Sequence, residues 1–165
     1  MQPLQPGATA PDFKLRGPRG EEFSLAAATE AGLTLLAFYK VACPTCQLTL
    51  PFLDKFRGYA QAAGPFRIWG VSQDGADETL LFAKERRCGF PMALDPSPYA
   101  ISRTYHVMSV PTLFLVGPDG KIITTHEGWS RGGINSLAAE VAGRIRRPAI
   151  VISAENDGAP AMKPG

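Results

Sequence analysis

Leu35-Leu36-Ala37-Phe38-Tyr39-Lys40-Val41-Ala42-Cys43-Pro44-Thr45-Cys46 is an apolar run that passes directly into a Cys-x-x-Cys pair. The run is short, almost uncharged and rich in aliphatic and aromatic residues, which predicts a buried β-strand. Behind Cys43 the pattern becomes that of a helix start. Pro44 falls in the first turn, where its missing N–H costs nothing. A cysteine there faces free backbone N–H groups and the positive end of the helix dipole. Both favour the thiolate, which is the nucleophilic form. Cys43 is therefore the expected attacking sulfur. Cys46 lies one turn deeper, within reach of a disulfide with Cys43 and of a mixed disulfide held there.

Two other chemistries use such a pair. A zinc site needs four ligands. The remaining candidates, Cys88, His106 and His126, are scattered and supply no second pair at ligand spacing, so no metal is expected. A purely structural disulfide across so small a loop gains little from closure. It also leaves the Pro44-Thr45 insert and the helix start unexplained.

The 165 residues, 45% of them hydrophobic and 19% charged, fit one globular domain with a proper core. The net charge of +2 points to no special partner. The one dense basic cluster, Arg144-Ile145-Arg146-Arg147, falls at an expected helix C-terminus, where cations are favourable. Nucleic-acid binding is not expected. Three cysteines are too few for a secreted disulfide scaffold. No stretch approaches the roughly 18 apolar residues of a membrane span, so no membrane partner is expected. Met1-Gln2-Pro3-Leu4-Gln5-Pro6-Gly7 has neither the basic nor the apolar region of a signal peptide. The expectation is a cytoplasmic chain, or a periplasmic one if a leader has been removed, acting as a monomer or weak dimer.

Outward from the central stretch, residues 1–11 read as an extended arm. Asp12-Phe13-Lys14-Leu15-Arg16 and Glu21-Glu22-Phe23-Ser24-Leu25 alternate around the Gly17-Pro18-Arg19-Gly20 turn, which predicts a small hairpin. Ser24 is the expected cap of a short helix over 25–31, ended by Gly32. The helix from Cys43 is expected to reach about Ala63, kinked at Pro51 and closed by Gly64-Pro65. Residues 66–72 read as a second core strand. A helix to Arg87 starts at Asp74 or Asp77, and 89–94 return as a strand. Ser97-Pro98 is expected to cap and open a further helix. Residues 112–116, the turn Gly117-Pro118-Asp119-Gly120 and residues 121–125 form a hairpin. A last helix runs from Ile134 to about Arg147. Residues 148–165 form a tail, partly irregular, in which 149–152 add a strand or dock. The fold class is α/β, with a central mixed β-sheet flanked by helices.

This order of elements and its motifs resemble the thioredoxin-fold superfamily. Within it the chain is similar to the TlpA/ResA-like thiol–disulfide oxidoreductases and the AhpC-TSA, peroxiredoxin-like redoxins. The residues that carry the resemblance are Ala8-Thr9-Ala10-Pro11-Asp12-Phe13, Cys43-Pro44-Thr45-Cys46 with Pro51 behind it, and Val110-Pro111-Thr112 leading into the Gly117-Pro118-Asp119-Gly120 hairpin. The resemblance covers roughly residues 8 to 147. The resemblance implies a thioredoxin-like domain over 1–147 and a cis bond between Val110 and Pro111. It implies a Cys43–Cys46 redox pair shaped by Pro111 and needing no cofactor. The Val110 backbone, with Pro44 and Thr45, would hold an extended segment of a partner. Substrates would be a disulfide-containing protein or a small thiol or disulfide, with a separate dithiol or disulfide partner to complete the cycle. In the cytoplasm such a chain would be kept reduced and act as a reductant.

The chain also departs from its relatives. Trp commonly precedes the first cysteine; here it is Ala42. TlpA/ResA-like chains commonly carry a Glu where this one has Thr49, which is no general base at neutral pH. Glu127 and Asp95 are the candidate substitutes for proton transfer, each with an ordinary surface carboxylate as the competing reading. The rival activity is a thiol peroxidase, an antioxidant function, with Cys43 attacking peroxide and Cys46 resolving. Peroxiredoxins use a Thr where this chain has Lys40, and Lys40 accepts no hydrogen bond. Lys40 remains a candidate for supporting the Cys43 thiolate by charge, and Arg103 or Arg131 for the peroxiredoxin arginine. Cys88 reads as a small buried apolar residue.

Overall fold

The computed structural model describes residues 1–62 and 66–165. The expected helix end at Gly64-Pro65 lies outside the described residues. In the N-terminal hairpin, β1 (Lys14–Arg16) pairs antiparallel with β2 (Glu22–Ser24), Leu15 opposite Phe23. Ser24 then caps α1 (Leu25–Ala31), its hydroxyl accepting the Ala27 N–H at 3.3 Å, and Gly32 ends the helix at φ 144°. β3 (Leu33–Tyr39) leads to Cys43, the N-cap of α2 (Pro44–Leu53).

The single long helix expected from Cys43 is divided. α2 runs through Pro51 to Leu53, a 3-10 turn follows over Asp54–Phe56, and α3 occupies Arg57–Ala62. Pro51 removes one helical N–H, and the ladder fails within a turn beyond it. β4 (Phe66–Ser72), α4 (Ala76–Glu85) and β5 (Met92–Leu94) come next. Gly75 caps α4, not Asp74 or Asp77, although Asp77 lies in its first turn.

α5 (Ala100–Thr104) also starts differently from the expectation. Ser97–Pro98 is a cis bond and Tyr99 stands in the left-handed region at φ 58°, so neither Ser97 nor Pro98 opens the helix. Asp95 does the capping instead. Its carboxylate accepts the Ile101 N–H at 3.1 Å and both the Ser102 N–H and hydroxyl at 2.7 Å. Asp95 is only 3% exposed, so the expected surface carboxylate is a buried structural group.

β6 (Thr112–Val116) and β7 (Ile122–Glu127) form the second hairpin, β8 (Trp129–Ser130) follows, and α6 (Arg131–Ile145) is capped by the Ser130 hydroxyl. The five-stranded sheet has the order β5-β4-β3-β6-β7. β5, β4 and β3 are parallel; β6 is antiparallel to β3, and β7 to β6. β3 is buried along its whole length, as a central strand covered on both faces must be. Its alternate residues feed two layers. Leu35, Ala37 and Tyr39 pack with Leu50, Leu53, Phe82, Ile134 and Val141 from α2, α4 and α6. Leu36 and Phe38 pack with Phe13 and Phe23 of the hairpin region, Leu25 of α1, Trp69 of β4 and Tyr105 behind α5.

Residues 148–161 are irregular but docked. Ile152 is fully buried among α6 residues, a burial worth about 1.5–3 kcal/mol. The Asn135 side-chain carbonyl accepts the Ile152 and Ser153 N–H groups at 2.9 and 3.0 Å, and its amide donates to the Ser153 carbonyl at 2.9 Å. Arg131 holds the next turn through the Ser153 hydroxyl, Asp157 and the Ala159 carbonyl. The chain then returns as β9 (Met162–Lys163), antiparallel to β8. Among the described residues no helix is long and apolar enough to cross a membrane.

Replacing Asp95 by Ala removes three accepted bonds from a buried position. Chemical denaturation is expected to show a loss of about 3 kcal/mol, whereas a change within about 0.5 kcal/mol, as at a surface carboxylate, would overturn this structural role.

Candidate functional site

The parallel strands β3 and β4 end together at Tyr39 and Ser72, and the chain leaves β3 through Lys40, Val41 and Ala42. That exit is fixed at both sides. The Val41 N–H donates to the Asp74 carboxylate at 2.8 Å, and the Gln47 amide donates to the Val41 carbonyl at 2.9 Å. Cys43 has extended backbone, φ −77° and ψ 118°, and the Cys46 N–H donates to its sulfur at 3.1 Å. A side chain with an acceptor at N-cap meets an orphan helix donor in this way. Pro44 is exposed in the first turn and adds no unsatisfied N–H.

The two sulfurs stand in unlike surroundings. Cys43 is half-buried and donates its thiol to the Val110 carbonyl at 3.3 Å. Cys46 is fully buried. Burial pushes the Cys46 thiol well above the ordinary thiol range and its hydrogen bond with Cys43 adds to this; the Lys40 backbone N–H opposes it in part. The Asp74 charge adds a further upward push. All three cysteines are free thiols. Cys88 is 6% exposed and burial pushes it up to about 12, so it is the inert apolar residue expected.

The Val110–Pro111 bond is cis, as the resemblance implied, and Pro111 is buried. Lys40, Cys43, Pro44, Thr45 and Val110 all line one cleft of about 700 Å³, while Cys46 and Pro111 sit behind its wall. The Lys40 ammonium is held by Tyr99: it donates to the phenol oxygen at 3.4 Å and lies 4.8 Å from the ring centroid. Of the two candidate arginines, Arg103 lines the cleft and Arg131 is committed to the C-terminal segment.

Thr49 is fully buried, and its hydroxyl donates to the Thr45 carbonyl at 2.7 Å, one turn back. Asp95 is committed to α5 and Glu127 is exposed at the end of β7. Asp74, which sequence reasoning weighed only as a helix start, is the carboxylate whose charge reaches Cys46. No motif marks it.

The C-terminal segment was also missed. Lys163, Pro164 and Gly165 form one side of the cleft, and the Thr45 hydroxyl donates to the Pro164 carbonyl at 2.6 Å. Trp129 anchors this segment: its indole N–H donates to the Pro160 carbonyl at 2.6 Å and its ring packs on Phe52 of α2 at 4.8 Å. Among the described residues no group of three or more His, Cys, Asp or Glu side chains is arranged to hold a metal ion.

Residues 6–125 match the AhpC/TSA family. The chain is 30% identical over 127 residues to the thioredoxin-like protein YneN of Bacillus subtilis, covering 76% of this chain and 73% of that one. It is 28% identical over 126 residues to the thiol-disulfide oxidoreductase ResA of Bacillus thuringiensis, covering 76% and 71%. The thioredoxin domain of a thiol-disulfide oxidoreductase from Bacteroides vulgatus superposes with a TM-score of 0.71 at 23% identity, over 84% of this chain and 99% of that one. The last of these speaks for the fold.

The unlike burial of the sulfurs has a direct readout. Substoichiometric iodoacetamide at neutral pH is expected to label Cys43 first, with Cys46 and Cys88 reacting only after denaturation, as peptide mass mapping will show. In the Cys43→Ser variant, Cys46 should stay unlabelled in the native protein through about pH 9, because burial both shields it and keeps its thiolate fraction small.

Proposed function

The chain belongs to the AhpC/TSA family, and from that footing we propose that it is a thiol–disulfide oxidoreductase that works through Cys43 and Cys46. The observation that carries the reading is the pair's asymmetry. One half-buried sulfur receives a helix N–H, and its neighbour one turn on is buried and protonated. The relatives named as thiol-disulfide oxidoreductases support the same class of reaction.

In the reductive direction the Cys43 thiolate attacks one sulfur of a substrate disulfide. The substrate S–S bond breaks, a Cys43–substrate disulfide forms, and the first thiolate leaves and takes up a proton. Cys46 then loses its proton and attacks the Cys43 sulfur. The mixed disulfide breaks, the second substrate thiol leaves, and Cys43–Cys46 holds the two electrons' worth of oxidation. A separate dithiol returns the pair to its reduced state. The Val110 carbonyl, which accepts the Cys43 thiol in the reduced chain, orients the sulfur toward the cleft. Pro111 keeps that carbonyl in place. Asp74 is the carboxylate situated to influence proton loss from Cys46.

Peroxide chemistry has weaker support. The position three before Cys43 holds Lys40, a donor only, and its ammonium is engaged by Tyr99. Lys40 therefore does not accept the hydrogen of a hydroperoxide as the peroxiredoxin Thr would.

With a chromogenic aromatic disulfide in excess, reduced chain should release about two equivalents of thiol and the Cys46→Ser variant about one, retaining a mixed disulfide visible by intact mass. Hydrogen peroxide should oxidise the reduced chain no faster than it does an ordinary thiol. A peroxide reaction orders of magnitude faster, with a sulfenic acid trapped on Cys43 in Cys46→Ser, would replace this reading by the peroxidase one.

A further inference from the structure

We infer that the cleft selects a small, anionic disulfide over an extended protein segment; the inference rests on the oxidoreductase reading and narrows its substrate. Two separate features carry it.

The first is charge. Three cationic side chains reach the cleft from three parts of the chain: Lys40 just after β3, Arg103 in α5 and Lys163 in β9. No Asp or Glu side chain lines it. None of the three cations is in an ion pair among the described residues. The carboxylates on the adjoining segments are turned elsewhere, Asp74 to the Val41 N–H and Asp95 to the first turn of α5. A concave site whose charged side chains are all cationic favours anionic ligands. The volume of about 700 Å³ suits a small molecule.

The second is access. An extended protein segment would pair with the backbone at Val110, and this chain's own residues 163–165 already lie there. The Pro164 carbonyl is bound by Thr45. Gly165 approaches the Val110 carbonyl so closely that a Cβ on it would stand 2.4 Å from the oxygen. Lys163 is fixed against Trp129 by β-pairing, and Gly128 passes beneath the Lys163 carbonyl, a built Cβ there lying 3.0 Å away. The segment leaves Cys43 open to the cleft and closes its peptide-binding side.

The test compares reduced full-length chain with three dialkyl disulfides of similar size: dianionic 3,3′-dithiodipropionate, neutral bis(2-hydroxyethyl) disulfide and dicationic cystamine. Insulin serves as the protein disulfide, and each rate is divided by that of free dithiothreitol with the same probe. The expected order is dianion, neutral, dication, with about tenfold or more between the ends at low salt. Raising ionic strength from about 0.01 M to about 0.5 M should collapse that ratio. The Arg103→Gln/Lys163→Gln double variant should bring it toward the dithiothreitol value. Equal normalised rates for the three small probes would overturn the charge selection, and insulin reacting faster than all of them would overturn the small-substrate assignment. Failure to react with any disulfide would remove the oxidoreductase reading itself.

Discussion

β3 is covered on both faces, and the site follows from that constraint. A strand with no exposed side chain forces a layer of structure above and below it, and it forces the chain to turn only at the strand's end. The turn at Lys40, Val41 and Ala42 is pinned by Asp74 and Gln47, so the first turn of α2 begins at a set place and angle. Cys43 then meets the Cys46 N–H because it is the N-cap residue, and Cys46 is buried because α2 lays that face on the sheet. Exposure and donor geometry of the two sulfurs are thus consequences of packing several residues away.

In the reaction proposed above, the same arrangement separates two tasks that the dithiol performs in order. The attacking sulfur needs contact with solvent and a donor for negative charge. The second sulfur needs to stay protonated until the first has reacted, or it would compete for the substrate. Burial is the largest influence on that order, because it disfavours charge on Cys46 whatever the substrate. The position taken by Thr49 is consistent with this. Its hydroxyl donates to the helix carbonyl of Thr45, and the carboxylate charge that pushes the Cys46 thiol upward is that of Asp74, a smaller influence than burial.

Much of this was legible in the sequence, because local signals and tertiary packing agree there. The apolar run into Cys-x-x-Cys, the Ser24 cap and the hairpin at Gly117-Pro118-Asp119-Gly120 all rest on neighbouring residues, while the cis Val110–Pro111 bond was implied only by the family resemblance. The misreadings fall where a distant partner decides. Ser97-Pro98 has the composition of a helix start, yet Asp95 provides the cap from across a left-handed residue at Tyr99. The helix after Cys43 keeps an apolar stripe past Pro51, but the lost N–H divides it. Residues 148–165 have the small residues and prolines of a loose tail. Their order comes from Asn135, Arg131 and Trp129, none of which advertises that role in sequence. For that reason the basic wall supplied by Lys163 was invisible.

The hydrogen bond between Thr45 and Pro164 joins residues 119 apart. On a chain made at about 5–20 residues per second, roughly ten seconds pass between the emergence of the cysteine pair and that of the segment that walls its cleft. During that interval the thiols are present without their enclosure. A nascent chain therefore carries its thiol pair unwalled for that interval, and the order of synthesis itself becomes a hazard that ends when residues 163–165 dock.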